Sequence, residues 1–196
     1  VITSATGLLL HEMSCSILGE PSFTYLKNKW ASELYGSKSS VNGRAKVAFR
    51  QVLFQQSDPN YHYSVDEVIE QLNNTSYTDI EKAHKDLISG PKLVTVVAPN
   101  NISKLSNKGE WNREYTNDLM ATGRQNDIQL PGKSSAVLKY GMVVEYSDAL
   151  KLAVAVLGNG FTGRLMRIVR DTYGLTYGIN ARLVPLKGCA VFEVTG

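Results

Sequence analysis

Two stretches of this sequence place reactive residue types at spacings that chemistry uses. "LGNGFTGRLM" (157–166) contains Gly158, Gly160 and Gly163, the G-x-G-x-x-G spacing of a dinucleotide-binding loop. Such a loop needs a strand before the first glycine and a helix after the last, so that backbone N–H groups and the helix N-terminus meet the pyrophosphate. Here "SDALKLAVAVL" (147–157) precedes the glycines with helical rather than strand spacing. The turn therefore joins helix to helix. An acidic residue about 20 positions on should hold the ribose, and "INARLV" (179–184) stands there without one. A nucleotide-binding module is thus a distant alternative.

The second stretch is "HEMSC" (11–15). His11 and Glu12 begin like the zinc motif H-E-x-x-H, which presents two ligands at i and i+4 of one helix and takes a third from elsewhere. The fifth position is Cys15, a possible ligand, rather than His. His62 and His84 stand far off and apart. "GLLLHEM" (7–13) reads as an amphipathic helix with His11 at its boundary. His62, in a break rich in Pro and Asn, and His84, on a helix, read as surface residues. There is no G-x-S-x-G and no P-loop. The chain is expected to hold no metal and no complete catalytic constellation. Cys15 and Cys189 are too few for a disulfide framework, and each reads as a buried thiol.

Composition narrows the classes further. The chain has 196 residues, 43% of them hydrophobic and 20% charged, which suits a folded core. A net charge of +3 is not concentrated in any run of Lys and Arg, which argues against nucleic acid as a partner. No apolar run approaches the roughly 18 residues of a membrane span, and no signal-like start is present. The sequence begins at Val1 without Met and stops at Gly196 inside what reads as a strand, so it reads as a piece of a longer protein. The compartment is unknown from this piece; a periplasmic or organellar parent fits.

The elements that must position any site follow from periodicity. Residues 1–90 read mostly as helix. Phe23, Leu26, Trp30 and Leu34 share one helical face, as do Ala45, Ala48, Phe49 and Val52, and again Val65, Val68, Ile69 and Leu72. Ser64 with Glu67, and Thr78 with Glu81, fit the capping box. "SDPNYHYS" (57–64) is a break and "SGPK" (89–92) ends the last helix. "LVTVV" (93–97) reads as a buried strand, and residues 99–133 as a polar connector with a short helix near 101–106. "AVLKYGMVVE" (136–145) reads as a strand. Leu150, Ala153, Val154 and Leu157 form one helical face, and Phe161, Leu165 and Ile168 another. "LTYGINARLV" (175–184) alternates as a strand, with Leu175, Tyr177, Ile179, Ala181 and Leu183 on one face. "PLKG" (185–188) reads as a turn. "CAVFEVT" (189–195) reads as its partner strand, with Ala190, Phe192 and Val194 on one face.

The end of the chain, "LGNGFTGRLMRIVRDTYGLTYGINARLVPLKGCAVFEV" (157–194), resembles the C-terminal signature of the insulinase/pitrilysin-type zinc metallopeptidases, the inverzincins, which include mitochondrial processing peptidase. The matching residues are Leu157-Gly158, Gly160, Arg164-Leu165, Val169-Arg170, Gly174-Leu175 and Tyr177; the departures are Asn159, Gly163, Asp171 and Thr176. "FTYLKNKWASEL" (23–34), "YTDIEKAHKDLISGPKLVTVVAPNN" (77–101), "NKGEW" (107–111) and "LPGKSSAVLKYGM" (130–142) resemble successive parts of the same family, less specifically.

The resemblance implies an α+β fold, two-layered, with helices packed on one face of a mostly antiparallel sheet. It implies a segment 1–98 ending one family repeat, a connector 99–133, and a strand–helix–helix–hairpin segment 134–196 starting the next. The family's zinc motif, H-x-x-E-H, is absent from this sequence. The chain is therefore expected to be a fragment of a zinc metalloendopeptidase from its non-catalytic half, inactive alone. It would wall the chamber and contact bound peptide, with zinc in the parent's catalytic half or in a partner subunit. In many members an Arg and a Tyr seven positions apart reach the peptide from the non-zinc half, and Arg170 and Tyr177 have that spacing. On this reading Arg170 ends a helix and offers a rigid fork of donors to peptide carbonyls. Tyr177 starts the next strand and donates to a developing oxyanion. Tyr173 lines the turn. The main alternative is a non-enzymatic assembly member, like the core proteins of respiratory complex III.

Overall fold

The computed structural model describes residues 8–9, 11–15, 19–90 and 116–196. The strand expected at 93–97, the short helix near 101–106 and the segment 107–111 lie outside the described residues. The chain falls into two compact units, one from Val1–Ala31 and Glu70–Arg113, the other from Ser32–Ile69 and Glu114–Gly196.

In the first unit, residues 11–14 are helical. Helix α1 (Glu20–Ser37) begins in the first unit and ends in the second; α2 (Val41–Leu53) belongs to the second unit. Helix α3 (Val65–Asn74) crosses the division, and α4 spans Tyr77–Ser89. The capping box expected at Ser64 forms: Glu67 N–H donates to Ser64 Oγ at 3.2 Å, and Ser64 N–H to the Glu67 carboxylate at 2.7 Å. The box on α4 is built two residues earlier than expected. Ser76 caps the helix and Asp79 closes the box, its carboxylate accepting from Ser76 N–H at 2.8 Å. Ser76 and Asp79 have the same three-residue spacing as Thr78 and Glu81 and come first, so they end the orphaned N–H groups. Lys27 Nζ donates to the carbonyls of Asn73 and Thr75 at 2.8 and 2.9 Å, and the ring of Phe23 lies 5.9 Å from that of Tyr77. The apolar face predicted on α1 exists, but α1 has no buried residue, and Trp30 is half exposed.

The second unit holds the sheet. Strands β1 (Lys139–Val144), β2 (Asn180–Leu186) and β3 (Cys189–Thr195) run in the order β1-β3-β2, antiparallel throughout. Helix α5 (Asp148–Gly158) and a π-helical segment, Met166–Thr172, lie between β1 and β2. The α+β class is as expected. The single covered face is refined to a helix on each face. Phe49 of α2 packs against Val191, with Phe54 completing the core and Val143 and Leu186 beside it. On the opposite face, Gly158 of α5 meets Ala181, which pairs with Val194. β3 is central, so it is buried on both sides: Ala190 and Val191 are fully covered and Glu193 nearly so. This is why the predicted face of Ala190, Phe192 and Val194 is not the only buried one.

Two strand boundaries also move. β2 begins at Asn180, leaving Leu175 and Tyr177 outside it, and includes Pro185 and Leu186. As an outer strand of the described sheet it tolerates Pro185. The hairpin turn is Lys187-Gly188 alone, with Gly188 at φ 76°.

Beneath the α2 face lies a group of charges. Glu193 is ion-paired to Arg182, its direct neighbour across the ladder. Arg50 of α2 is buried, its guanidinium 5.9 Å from the ring of Phe54. Burial pushes the Arg50 pKa down, and Glu193 opposes this. The break after α2 is tied by Asp58, a buried carboxylate accepting from Asn60 N–H at 2.8 Å, Asp118 N–H at 2.8 Å and Asn117 Nδ2 at 3.1 Å. His62, expected at the surface, is half-buried in this break. Burial, then the positive charges of Arg50 and Lys46, push its pKa below the ordinary 6.5.

A depressed histidine pKa has a definite consequence for stability. Above the ordinary value His62 is neutral in both states and contributes no pH dependence. As pH falls below it, the unfolded chain takes up the proton first, so the folded state loses ground until its own His62 titrates. Urea unfolding between about pH 7 and pH 5 should therefore show a steeper acid loss for the native chain than for His62→Gln. Equal slopes would contradict the assigned burial.

Candidate functional site

The glycine turn is built by close packing. A Cβ on Gly158 would lie 2.5 Å from Ala181 N and 2.6 Å from Ala181 Cβ. A Cβ on Gly163 would lie 2.9 Å from Gly158 Cα. Gly163, Gly158 and Ala181 therefore stack without side chains between them, and Gly160 turns the chain at φ 72°. The donors a pyrophosphate would need are partly used internally: Asn159 N–H bonds Ala155 O at 3.0 Å, and Gly163 N–H bonds Gly160 O at 3.4 Å. A helix, α5, precedes the first glycine. The glycines serve packing, as their sequence context implied.

The turn puts Phe161 at the surface, 77% exposed, rather than on the helical face predicted with Leu165 and Ile168. The next segment is π-helical. Tyr173 N–H bonds Ile168 O at 3.1 Å, five residues back, and Thr172 Oγ1 bonds Arg167 O at 3.1 Å. The wider coil is an uncommon form that recurs at functional sites. Gly174, at φ 62°, closes it, with its N–H on Arg170 O at 2.9 Å. Arg170 thus lies in the last turn of this segment, as expected of a residue near a helix end, and only the terminus itself is corrected, to Thr172.

Tyr177 does not start β2, which corrects its expected place too. It rides a small loop before the strand. Thr176 Oγ1 donates to Gly178 O at 2.9 Å and accepts from Gly178 N–H at 3.3 Å. The braced loop leaves Tyr177 92% exposed.

Arg170 and Tyr177 are nevertheless brought together. The Arg170 guanidinium carbon lies 5.2 Å from the centroid of the Tyr177 ring and 5.8 Å from that of Phe161. Its NH1 also approaches Met166 Sδ at 3.9 Å. Both rings are within cation–π reach of the guanidinium, and the planar, weakly hydrated cation favours such contacts. Among the described residues, Arg170 forms no ion pair, so its charge is not taken up by a neighbouring acid. A cleft of about 400 Å³ is lined by Gly160, Phe161, Met166, Gly178, Ile179 and Asn180, with others; Phe161 and Met166, which Arg170 approaches, are in its wall, whereas Arg170 and Tyr177 are not. Tyr173 is exposed nearby in sequence. Phe161 is the residue that sequence reasoning missed. The signal was present: it lies between two glycines of a turn, where a helical face cannot continue.

The remaining sequence candidates are dispersed. His62 lies in the break described above. His84 bonds through Nε2 to Met13 O at 3.1 Å. Cys189 is half-buried, its thiol pKa raised by burial and by Asp58. Cys15, expected to be buried, is exposed, because its helical turn has no apolar cover among the described residues.

No family model matches the sequence, and no curated protein matches it. Among solved structures, the fold is similar to the crystal structure of a peptidase M16 inactive domain from Pseudomonas fluorescens. The TM-score is 0.61 at 20% identity, over 97% of this chain and 50% of that one. The chain thus spans about half the length of the structure it matches. The likeness is one of fold. No helix among the described residues is long and apolar enough to cross a membrane.

The glycine stack makes a direct prediction. Gly158→Ala forces a methyl into the backbone of β2 and should destabilise the chain by about 1–3 kcal/mol, read as a lower urea midpoint. A midpoint equal to the native one would contradict the close contact.

Proposed function

We infer that this chain is part of the non-catalytic half of a zinc metalloendopeptidase, where it walls the chamber and contacts bound peptide through Arg170 and Tyr177. The observation that carries this reading is the approach of the Arg170 guanidinium to the rings of Phe161 and Tyr177, with Phe161 also lining an open cleft. The likeness in fold to a peptidase M16 inactive domain supports it. So does the resemblance of residues 157–194 to the family signature, whose zinc motif this chain lacks.

On this reading each residue has a distinct task. Arg170 donates its fixed fork to peptide carbonyls and sets the strand's position; its stacking limits the freedom lost on binding. Tyr177 presents its phenol to the scissile carbonyl and donates as negative charge develops on oxygen. Zinc, if held by the catalytic half or a partner subunit, would supply the activated water there. Residues 99–133 join the end of one repeat to the start of the next.

A second reading is a non-enzymatic assembly member of the same family. It is favoured by the outer stripe of α5, where Ala149, Leu152 and Val156 follow helical spacing and Leu152 and Val156 are 68% and 69% exposed.

Both readings meet in one experiment on the intact parent with a fluorogenic peptide. Tyr177→Phe and Arg170→Lys should each lower kcat/KM by roughly 10- to 100-fold, the worth of one hydrogen bond involving a charged group. Native kinetics in both variants would remove the pair's role. A parent with no peptidase activity and no H-x-x-E-H upstream would select the assembly reading.

A further inference from the structure

Away from the arginine–tyrosine turn, the first unit gathers three ligating side chains on one helical turn. The donor atoms of His11, Glu12 and Cys15 all lie within 4.8 Å of one another. The backbone there is helical, with Cys15 N–H on His11 O at 3.1 Å, so His11 and Cys15 are true i, i+4 neighbours. The thiol already points back along the helix, with Sγ 3.3 Å from His11 O. A second element fixes this turn: the His84 ring of α4 bonds Met13 O at 3.1 Å, between Glu12 and Cys15. All three ligands are exposed, and among the described residues neither His11 nor Glu12 has an ion pair. Nothing must be unpacked for them to converge.

We propose that His11, Glu12 and Cys15 form a binding site for a zinc-class transition-metal ion. The donor set decides the class. One thiolate, one imidazole and one carboxylate suit Zn²⁺ and Co²⁺, whereas Mg²⁺ and Ca²⁺ select oxygen alone. Metal–ligand bonds of about 2.0–2.3 Å in a tetrahedron bring donor atoms to roughly 3.5 Å apart. Rotation of exposed side chains by about 1 Å from the observed spread closes the site. Three protein ligands leave one position to water. On binding, the Cys15 thiol releases its proton to solvent and its sulfur forms the metal bond. The expectation of a metal-free chain rested on the missing second histidine of H-E-x-x-H, and Cys15 occupies that position with another good ligand. The site is separate from the peptide contacts proposed above: either can fail while the other stands.

The test titrates the whole reduced chain with Co²⁺ and follows thiolate-to-cobalt charge-transfer absorption. One equivalent should develop the band, Zn²⁺ should bleach it, and excess Mg²⁺ should not. Cys15→Ser should abolish the band and Cys189→Ser should keep it. His11→Ala should weaken Co²⁺ binding by at least the 10- to 100-fold that loss of a mere outer-shell partner costs. Circular dichroism matching the native chain shows that the variants are folded, as exposed positions allow. No band in the native chain, a band surviving in Cys15→Ser, or unchanged affinity in His11→Ala would each overturn the proposal.

Discussion

Gly158 has backbone on two sides and no room for a side chain on either. Gly163 lies against its Cα, and Ala181 of β2 lies where its Cβ would be. Helix α5 ends at Gly158. Gly160 turns the chain at φ 72°, and Phe161 beyond it is exposed. The π-helical segment follows, and its Arg170 guanidinium carbon lies 5.8 Å from the Phe161 ring centroid and 5.2 Å from that of Tyr177. The close glycine contacts and the arginine–aromatic contacts thus belong to one continuous stretch of chain.

The two arginine environments of the unit show how burial divides structure from function. Arg50 is enclosed, its pKa lowered by desolvation, and lies near Glu193 and against Phe54. Its Nη1 is buried without a hydrogen-bond partner among the described residues, so it is enclosed rather than presented to a ligand. Arg170 is only half-buried, stacked on rings rather than paired with an acid. Stacking costs the guanidinium few of its donors, so they remain available to a ligand.

Much of this was legible in the sequence, and the exceptions have physical causes. β3 was read to the residue, since its ends carry a turn and a glycine. The face of Ala48 and Phe49 marked the core, and the helical spacing before Gly158 marked α5. Arg170 and Tyr177 were paired by resemblance. Their surroundings were not legible, because a π-helical segment has no periodicity signal of its own. Alternation over 175–184 suggested a longer strand, yet Thr176 folds its hydroxyl onto Gly178 and lifts Tyr177 out of the sheet. The α4 cap moved two residues because two serine/threonine–acid pairs, Ser76–Asp79 and Thr78–Glu81, compete within six positions.

The central claim is that Arg170 lies against the rings of Phe161 and Tyr177 in the free chain, on a segment that follows the close contacts of Gly158 and Gly163. The Nε–Hε resonance of Arg170 reports this directly, since aromatic faces shift nearby protons upfield. The account predicts an upfield-shifted, well-ordered signal in the native chain that moves toward the solvated value in Gly163→Ala. A solvated shift in the native chain, or an unchanged one in Gly163→Ala, would contradict it.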